Sequence, residues 1–367
     1  MKKNNVLFLL HLPPPIHGSS VIGKSIKDSI LINTSFDCRY INLLVSRKIE
    51  DTGKTSSFKI IRFVIGWLYL LAEILKKKSD LCYMALTTTG TAFYKDVLFI
   101  VLLRLFNIKR VYHLHNKGIS LYQSQKLNYY LYRFVFNDAD VILLSKYLRN
   151  DIQKFVTETH IHICPNGIAS CAAEINYQHL KSGDPPIRIL FLSNLIESKG
   201  VFVLLEACSI LQKKGIPFQC VFIGGEGNVD ASRFNEKVVL MGLSDRIVYR
   251  GIKYGEEKIS AFAEADIFVF PTYYECFPLV LLEAMSASLP IVSTFEGGIP
   301  DIVEDGVTGF LVPQKNAELL ADKLELLILN PSLRKEMGCA GRKKYESQFT
   351  LEHFEKNLCT ILQKLTK

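Results

Sequence analysis

The sequence predicts an α/β protein of two domains, each built on a doubly wound parallel sheet. The chain has 367 residues, 49% of them hydrophobic, which is more than one ordinary core accommodates. Short apolar runs alternate with helical stretches, a pattern typical of parallel sheets covered by helices. This alternation stops at a polar segment, residues 169–186, and then restarts, which indicates a second domain.

The first predicted domain covers residues 1–168. Its helical stretches include residues 92–106 and 124–137. Its candidate strands are the apolar runs NVLFLL, DLCYMAL, RVYHLH, DVILLS and HIHIC. Residues 169–186, which end in SGDPP, are the predicted linker, because proline, glycine and polar residues interrupt regular structure.

The second predicted domain covers residues 187–345, and residues 346–367 are a C-terminal helix expected to pack back towards the first domain. Its candidate strands are IRILFLS, FQCVFIGG, RIVYRG, DIFVFP and LPIVS, each apolar enough to be buried on both faces. A helical pattern starts at Ala317, and Pro331 is expected to open one helix. Ligands bind beyond the carboxyl ends of such strands, so we expect a site in the cleft between the domains.

Charge is distributed unevenly along the chain, whose net charge is +8. Residues 1–180 contain 23 Lys and Arg against 12 Asp and Glu, a balance of +11. Residues 181–367 contain 21 against 24, a balance of −3. The asymmetry indicates different partners for the two halves. The basic residues are scattered and no aromatic-basic module accompanies them, which argues against a nucleic-acid partner.

Cysteine usage and the N-terminal run predict a cytoplasmic protein. The nine cysteines include no CxxC pair, which is typical of free thiols in a reducing compartment. The run MKKNNVLFLLHLPPP is basic and then apolar, like a secretory signal. Its three prolines and its lack of a small-residue cleavage site favour a first strand instead.

The most informative stretch is FPTYYECFPLVLLEAMSASLPIVS, residues 270–293. Glu275 lies in the loop before an apolar helix, and Glu283 lies inside that helix. Proline is favoured in the first turn of a helix, so we expect Pro278 at the first helical position with Phe277 as the N-cap. The two acids therefore flank the start of the helix.

The start of this helix is a predicted anion site. The amides of Leu279, Val280 and Leu281 lack intrahelical partners and lie at the positive end of the helix dipole, which suits phosphate. Because carboxylates would repel phosphate, Glu275 and Glu283 are expected to contact neutral hydroxyls of a sugar or a ribose beside a diphosphate. Taken alone, the spacing of the two acids favours a simpler interpretation, in which Glu275 is a loop acid and Glu283 an exposed helix residue.

The run from Asp266 to Val312 resembles the signature of the E-x7-E retaining glycosyltransferases of group 1 (family 4), which have the GT-B fold. The resemblance covers more than forty residues and continues upstream in ILFLSNLIESKG, VFIGGEGN and IVYRG. In the first half it rests on PPPIHGSS, HLHNKG and PNGI. It implies two Rossmann-like domains that face each other across a cleft.

The resemblance also implies roles for individual residues. Glu275 contacts the transferred sugar, Glu283 holds the ribose of the nucleotide, and Lys199 neutralises the diphosphate. Gly18, in the loop after the first strand, lets the backbone approach the phosphate. The implied catalytic residues are Glu275, His115 and Lys199, and the implied donor-binding residues are Gly18, Asn194, Lys199, Arg250, Glu275, Phe277, Leu279, Val280 and Glu283.

His115 follows the strand RVYHLH and, by the resemblance, meets the sugar or the acceptor. A histidine at such a strand end is also a common packing residue. The neighbouring His113 is expected to lie on the opposite face of the strand and to be packed in the core.

The chain departs from the family pattern at two positions. Asn194 stands where the family usually has an arginine, five residues before Lys199. Two outcomes are open: Arg250 or Lys253 compensates for the lost cation, or the affinity for the donor is lower. Pro278 stands where a glycine is common, and at the first helical position its missing amide costs little.

The predicted function is retaining transfer of a sugar from a nucleotide-diphosphate sugar to a glycan acceptor, lipid-linked, in bacterial surface polysaccharide biosynthesis. The resemblance implies front-face displacement, in which the leaving diphosphate accepts the proton of the acceptor. No cofactor is expected, and no metal, since no His, Cys or carboxylate cluster has metal-ligand spacing. The alternatives are an epimerase-like enzyme acting on nucleotide sugars, transfer to a soluble sugar, and a protein that only binds.

Residues 46–78 combine basic residues, an apolar stripe and Trp67, the single tryptophan. One interpretation is a core helix with a basic surface. The other is contact of the first domain with an anionic membrane surface, which would make the protein peripheral on the inner face of the cytoplasmic membrane.

Overall fold

The computed structural model describes residues 3–44, 57–170 and 186–367. The chain forms two compact units, one comprising Met1–Gly167 and Leu351–Lys367 and the other Ile168–Thr350. Each unit contains a six-stranded parallel sheet flanked by helices in the described residues, which confirms the predicted fold class. The predicted linker falls outside the described residues, except for residues 169, 170 and 186.

The sheet of the first unit has the order β2-β1-β3-β4-β5-β6, and all neighbouring strands are parallel. Its strands are β1 (Asn5–Leu10), β2 (Asp37–Asn42), β3 (Leu81–Leu86), β4 (Arg110–Leu114), β5 (Ala139–Leu143) and β6 (Ile161–Ile163). Its helices are α1 (Gly18–Asp28), α2 (Ile30–Ser35), α3 (Ser57–Lys76), α4 (Gly90–Leu105), α5 (Ile119–Tyr122), α6 (Lys126–Phe136), α7 (Arg149–Ile152) and the C-terminal α15 (Leu351–Leu365).

The sheet of the second unit has the order β12-β11-β10-β7-β8-β9 and is also parallel. Its strands are β7 (Ile187–Leu192), β8 (Phe218–Ile223), β9 (Ile247–Tyr249), β10 (Ile267–Val269), β11 (Ile291–Thr294) and β12 (Gly309–Val312). Its helices are α8 (Val201–Lys213), α9 (Ala231–Leu240), α10 (Gly255–Glu264), α11 (Leu279–Ser286), α12 (Ile299–Ile302), α13 (Ala317–Leu329) and α14 (Pro331–Gln348).

All ten apolar runs predicted as strands form strands, and two further strands were not predicted. Both, β2 and β12, are edge strands. The sequence of β2, DCRYIN, has charged or amide side chains at three of its six positions, and only Ile41 is buried. β12, GFLV, has only four residues. An edge strand pairs on one side only, so neither a long apolar run nor strict alternation is required of it.

The helix predictions agree with the structure at α4, α6 and α14. Pro331 is the first residue of α14, as predicted. The C-terminal α15 packs within the first unit, where Cys359 Sγ lies 3.4 Å from Ser35 Oγ and Lys109 Nζ donates to the carbonyl of Leu365 at 2.7 Å. None of the helices in the described parts of the chain combines the length and hydrophobicity that a membrane crossing requires.

Candidate active site

Helix α11 begins one residue later than predicted. Pro278 precedes the helix with an extended backbone (φ −74°, ψ 116°), and Leu279 is the first helical residue. The predictions that Pro278 occupies the first helical position and that Phe277 is the N-cap are therefore wrong. The proline ring restricts φ but leaves ψ free, so proline fits the N-cap as well as the first turn.

The amino end of α11 carries two amides ready for an anion. Among the described residues, the N–H groups of Leu279 and Val280 have no hydrogen-bond acceptor, whereas the N–H of Leu281 donates to the carbonyl of Pro278 at 3.2 Å. The first turn contains no acidic side chain. The helix dipole and these two donors together favour a bound phosphate.

Glu283 is the fifth residue of α11. One of its carboxylate oxygens accepts a hydrogen bond, and the other has no partner among the described residues. Lys258 Nζ donates to Oε1 at 2.6 Å. Oε2 is buried and has no hydrogen-bond partner among the described residues. Buried polar atoms are rarely left unpaired, and a carboxylate oxygen can only accept. Oε2 is therefore suited to a hydroxyl of a ligand.

Lys199 and Glu275 are brought together as an ion pair, with Lys199 Nζ donating to Glu275 Oε2. Lys199 ends a short 3-10 turn after β7, and the ring of Phe270 lies 5.9 Å from its ammonium group. The turn is held against the loop after β10, because the carbonyl of Ser198 accepts from the N–H of Tyr273 at 2.9 Å.

Gly200, next to Lys199, allows this close packing. A Cβ at this position would lie 2.1 Å from the carbonyl oxygen of Pro271, and the residue has φ +83°. Both the space and the backbone conformation therefore require glycine. The approach of the two segments is what places Lys199 beside Glu275.

Glu296 is a site residue that the sequence analysis missed. Its Oε1 accepts from the N–H of Glu275 at 2.9 Å, and its Oε2 accepts from Gln314 Nε2 at 2.6 Å. The adjacent Gly297 has φ +52°, and a Cβ there would lie 2.3 Å from the carbonyl oxygen of Glu275. The segment after β11 thus positions the backbone of Glu275. The only signal in the sequence was an acid followed by two glycines.

Asn194 is a structural residue in this arrangement. Its Oδ1 accepts from the N–H of Gly225 at 3.0 Å, and the N–H of Leu195 donates to the carbonyl of Gly225 at 2.7 Å. Gly224 has φ +152°, and a Cβ there would lie 1.9 Å from the carbonyl oxygen of Ser193. The side chain of Asn194 therefore connects the loop after β7 with the glycine-rich loop after β8.

Arg250 and Lys253 both pair with glutamates of α10. The guanidinium group of Arg250, which directly follows β9, pairs with Glu264 at 3.3 Å. Lys253 pairs with Glu257 at 2.6 Å. That one of these cations compensates for the arginine that Asn194 replaces stays a prediction.

In the first unit, Gly18 is the first residue of α1 and does not lie in the preceding loop as predicted. His17 is the N-cap, and its Nδ1 accepts from the N–H of Ser20 at 3.3 Å. The side chain of Ser20 also bonds to the N–H of His17 at 2.9 Å, so the helix begins with a reciprocal capping box. The cap fixes the helix start at Gly18.

His113 and His115 lie on the same face of β4, which contradicts the prediction that His113 is on the opposite face. Their ring centroids are 4.2 Å apart. Side chains alternate with a period of two, so residues two apart share a face. His113 is completely buried, as predicted, and its Nδ1 lies 2.6 Å from the hydroxyl of Tyr83. His115, just beyond the strand end, is half-buried.

Burial lowers the pKa values of the histidines near the carboxyl ends of β1 and β4. Burial, together with the neighbouring imidazoles of His11 and His17, lowers the pKa of His115 to about 3. Burial and the charge of Lys95 lower the pKa of His11 to about 3 as well. Burial also places the pKa of His113 well below its ordinary value. We therefore expect His115 to carry a neutral imidazole near neutral pH.

These lowered pKa values predict that the protein loses stability as the pH falls below about 6.5. An unfolded histidine protonates there, whereas His11 in the folded protein stays neutral down to about pH 3, so the unfolded state binds more protons. This difference at His11 should destabilise the fold by about 2 kcal/mol at pH 5 relative to pH 7. We expect the melting temperature to fall between pH 7 and pH 5, and to fall less in His11→Asn. Equal drops in the two proteins would contradict the assignment for His11.

Comparison with known proteins supports the resemblance. Residues 173–344 match the model of the family described as "Glycosyl transferases group 1". This segment, which lies in the second half of the chain, is therefore similar to the group 1 glycosyltransferases. The resemblance seen in residues 266–312 is thereby confirmed, and the matched segment contains Lys199, Glu275 and Glu283.

Relatives of this chain include proteins named for polysaccharide biosynthesis. The amylovoran biosynthesis glycosyltransferase AmsK of Erwinia amylovora is 34% identical over 186 residues, which are 49% of this chain and 45% of that protein. The capsular polysaccharide biosynthesis glycosyltransferase CapM of Staphylococcus aureus is 32% identical over 168 residues, 44% of this chain and 41% of that protein. The chain thus spans less than half the length of these two relatives.

Solved structures share the whole fold of this chain. The crystal structure of Anabaena HepE in complex with UDP has a TM-score of 0.77, with 17% sequence identity, over 99% of this chain and 100% of that one. At this identity the likeness shows the fold alone, which is GT-B with two Rossmann-like domains. The predicted fold is confirmed.

Proposed function

We propose that the protein is a retaining glycosyltransferase that moves a sugar from a nucleotide-diphosphate sugar to a glycan acceptor. The observation that carries the proposal is the buried, unpartnered Oε2 of Glu283, on the helix whose first two amides are also unpartnered. Such a site offers donors to a phosphate and an acceptor to a hydroxyl, which are the two groups of a nucleotide. HepE, which has the same fold, was solved in complex with UDP, and this supports the choice of donor.

In the proposed donor complex, Glu283 accepts from a ribose hydroxyl, and the amides of Leu279 and Val280 contact the diphosphate. Lys199 neutralises the diphosphate, and its present pairing with Glu275 keeps its ammonium group near the anion site. Glu275 then contacts hydroxyls of the transferred sugar. Glu296 holds the backbone of Glu275 and so fixes the direction of its carboxylate.

The proposed reaction is a front-face displacement. The acceptor hydroxyl oxygen forms a bond to the anomeric carbon while the bond between that carbon and the diphosphate oxygen breaks. The proton of the acceptor passes to the leaving diphosphate, and both bonds lie on the same face of the sugar, so its configuration is retained. Lys199 and the helix amides stabilise the charge that develops on the leaving group. The neutral His115 orients a hydroxyl of the sugar or the acceptor.

We further propose a lipid-linked acceptor in bacterial surface polysaccharide biosynthesis, at the inner face of the cytoplasmic membrane. The relatives named for amylovoran and capsular polysaccharide biosynthesis support this pathway class. The +11 balance of residues 1–180 supports an anionic surface as partner of the first unit. We also propose that the reaction needs no metal, so that Lys199 and the helix amides carry the leaving-group charge.

The function is tested first by binding. The protein is heated in the presence of a panel of nucleotide sugars and nucleoside diphosphates, where a ligand at 100 times its Kd adds about 2.7 kcal/mol of stability. We expect one nucleotide sugar to raise the melting temperature and a chelator to leave both binding and turnover unchanged. Stabilisation by no nucleotide sugar would contradict the proposed function, and loss of turnover with a chelator would contradict the metal-free reaction.

A further inference from the structure

The outward face of α3 is apolar between Ile61 and Leu75. Val64, Ile65 and Leu68 are 45%, 60% and 53% exposed, and Leu75 near the end is 67% exposed. On the opposite side Leu70 and Ile74 are buried against the sheet. A surface helix normally turns polar residues to water and one apolar stripe to the core. In α3 both sides are apolar, so the outward side requires a second apolar environment.

Helix α4 extends this surface. It contacts α3 directly, since the indole N–H of Trp67 donates to the carbonyl of Leu98 at 3.1 Å and the rings of Phe63 and Phe99 are 5.4 Å apart. Leu98 is 47% exposed and Leu105 is 74% exposed. We call the combined surface the α3–α4 face. It consists of Ile61, Val64, Ile65, Leu68, Tyr69, Leu75, Leu98, Leu105 and Phe106, all exposed.

The charges around the α3–α4 face are cationic. Lys76 ends α3 and Lys78 follows it; both are exposed and have no ion-pair partner among the described residues. The acid within the described part of α3, Glu73, is paired with Arg39 at 3.2 Å. An apolar face with unpaired cations at its end complements an anionic lipid surface, where the acyl region takes the side chains and the headgroups take the lysines.

We propose that the α3–α4 face docks the first unit on an anionic membrane surface, with α3 lying in the plane of the headgroups. This inference rests on the proposed lipid-linked acceptor, which it would place beside the unit that carries His115. The sequence analysis considered membrane contact through residues 46–78 as a whole. The proposal assigns this contact to the outward side of α3 and adds α4.

Flotation with lipid vesicles tests the proposal. The full chain is mixed with vesicles of neutral lipid alone or of neutral lipid with phosphatidylglycerol, at low and high salt. We expect flotation to increase with phosphatidylglycerol and to decrease with salt. The double variant Ile65→Glu/Leu68→Glu should lower the floated fraction by about tenfold or more, because two carboxylates would replace apolar groups at the lipid boundary.

A matched double variant separates this effect from the added charge alone. Val239 and Leu240 of α9, in the second unit, are 66% and 83% exposed. Val239→Glu/Leu240→Glu therefore makes the same chemical change on a surface outside the α3–α4 face and should leave flotation unchanged. Lys76→Glu/Lys78→Glu should remove the dependence on phosphatidylglycerol and leave the apolar contribution. Folding of each variant is checked by its nucleotide binding, which should equal that of the parent.

Three results would overturn the docking proposal. The first is an unaltered chain that does not float with any vesicle, and the second is equal flotation of the two Glu double variants. The third is sedimentation of the chain as a dimer that Ile65→Glu/Leu68→Glu dissociates, without vesicle binding, which would assign the α3–α4 face to a second copy. Each leaves sugar transfer standing. Conversely, flotation without nucleotide-sugar binding would retain the docking and overturn the proposed function.

Discussion

Replacing Glu283 with alanine should weaken binding of a nucleoside diphosphate roughly 5- to 150-fold, since an unpaired buried hydroxyl costs about 1–3 kcal/mol. The structure explains why the effect should be at the ribose. Lys258 already occupies Oε1 of Glu283 at 2.6 Å, and Oε2 is buried without a partner among the described residues. The variant removes this unpartnered oxygen and leaves the amides of α11 in place.

A comparison of two ligands makes this prediction specific. The nucleoside diphosphate that stabilises the protein most and its 2′,3′-dideoxy analogue are titrated calorimetrically against both proteins. The parent should prefer the ribose form, and Glu283→Ala should bind the two forms equally. Glu257→Ala is the matched control, because Glu257 is an acid on α10 whose side chain is 65% exposed. A preference for the ribose form that survives in Glu283→Ala would show that this residue does not hold the ribose.

Replacing Lys199 with alanine should have the other large effect, and it should depend on the number of phosphates. We expect little change for the nucleoside, a moderate loss for the monophosphate and a loss of about 100-fold or more in kcat/KM with the nucleotide sugar. Lys199 pairs with Glu275 in this structure, so the variant both removes a cation and leaves a carboxylate uncompensated beside the anion site.

Lys253→Ala is the control for Lys199→Ala. Lys253 is also in the second unit, but its ammonium group pairs with Glu257 of α10 and not with Glu275. Its loss should leave the affinities for all three nucleotides unchanged. If Lys199→Ala instead weakened the nucleoside, the monophosphate and the diphosphate equally, Lys199 would be a structural residue and the proposed contact with the diphosphate would be wrong.

The central strands could be predicted because burial on both faces leaves a strong local signal. Runs such as IRILFLS and NVLFLL are apolar at nearly every position. The edge strand β2 carries no such signal, and β12 is buried at all four positions but is only four residues long. Their pairing depends on neighbours elsewhere in the chain: Asp37 pairs with Asn5 and Gly309 with Ile291. Single-residue details at helix starts, at Pro278 and Gly18, also escaped prediction, since one residue there satisfies several backbone conformations.

The site could be predicted only in part, for a related reason. The helix with Glu283 and the loop with Glu275 form one continuous stretch, so their proximity followed from sequence. The partners of these acids did not, because Lys258 is 25 residues away from Glu283 and Glu296 is 21 residues away from Glu275. Arg250 shows the same limit, because its partner Glu264 lies 14 residues further along the chain, on α10.

The most direct test of the central claim is the stoichiometry of the reaction. The nucleotide sugar selected by the stabilisation assay carries a labelled sugar and is incubated with the protein and a glycolipid extract, with a chelator present. Sugar transfer predicts that label enters the glycolipid and nucleoside diphosphate is released in a 1:1 ratio, with no release when the extract is omitted. Conversion of the nucleotide sugar into a different nucleotide sugar, without release of the diphosphate, would contradict the account and show an epimerase-like enzyme instead.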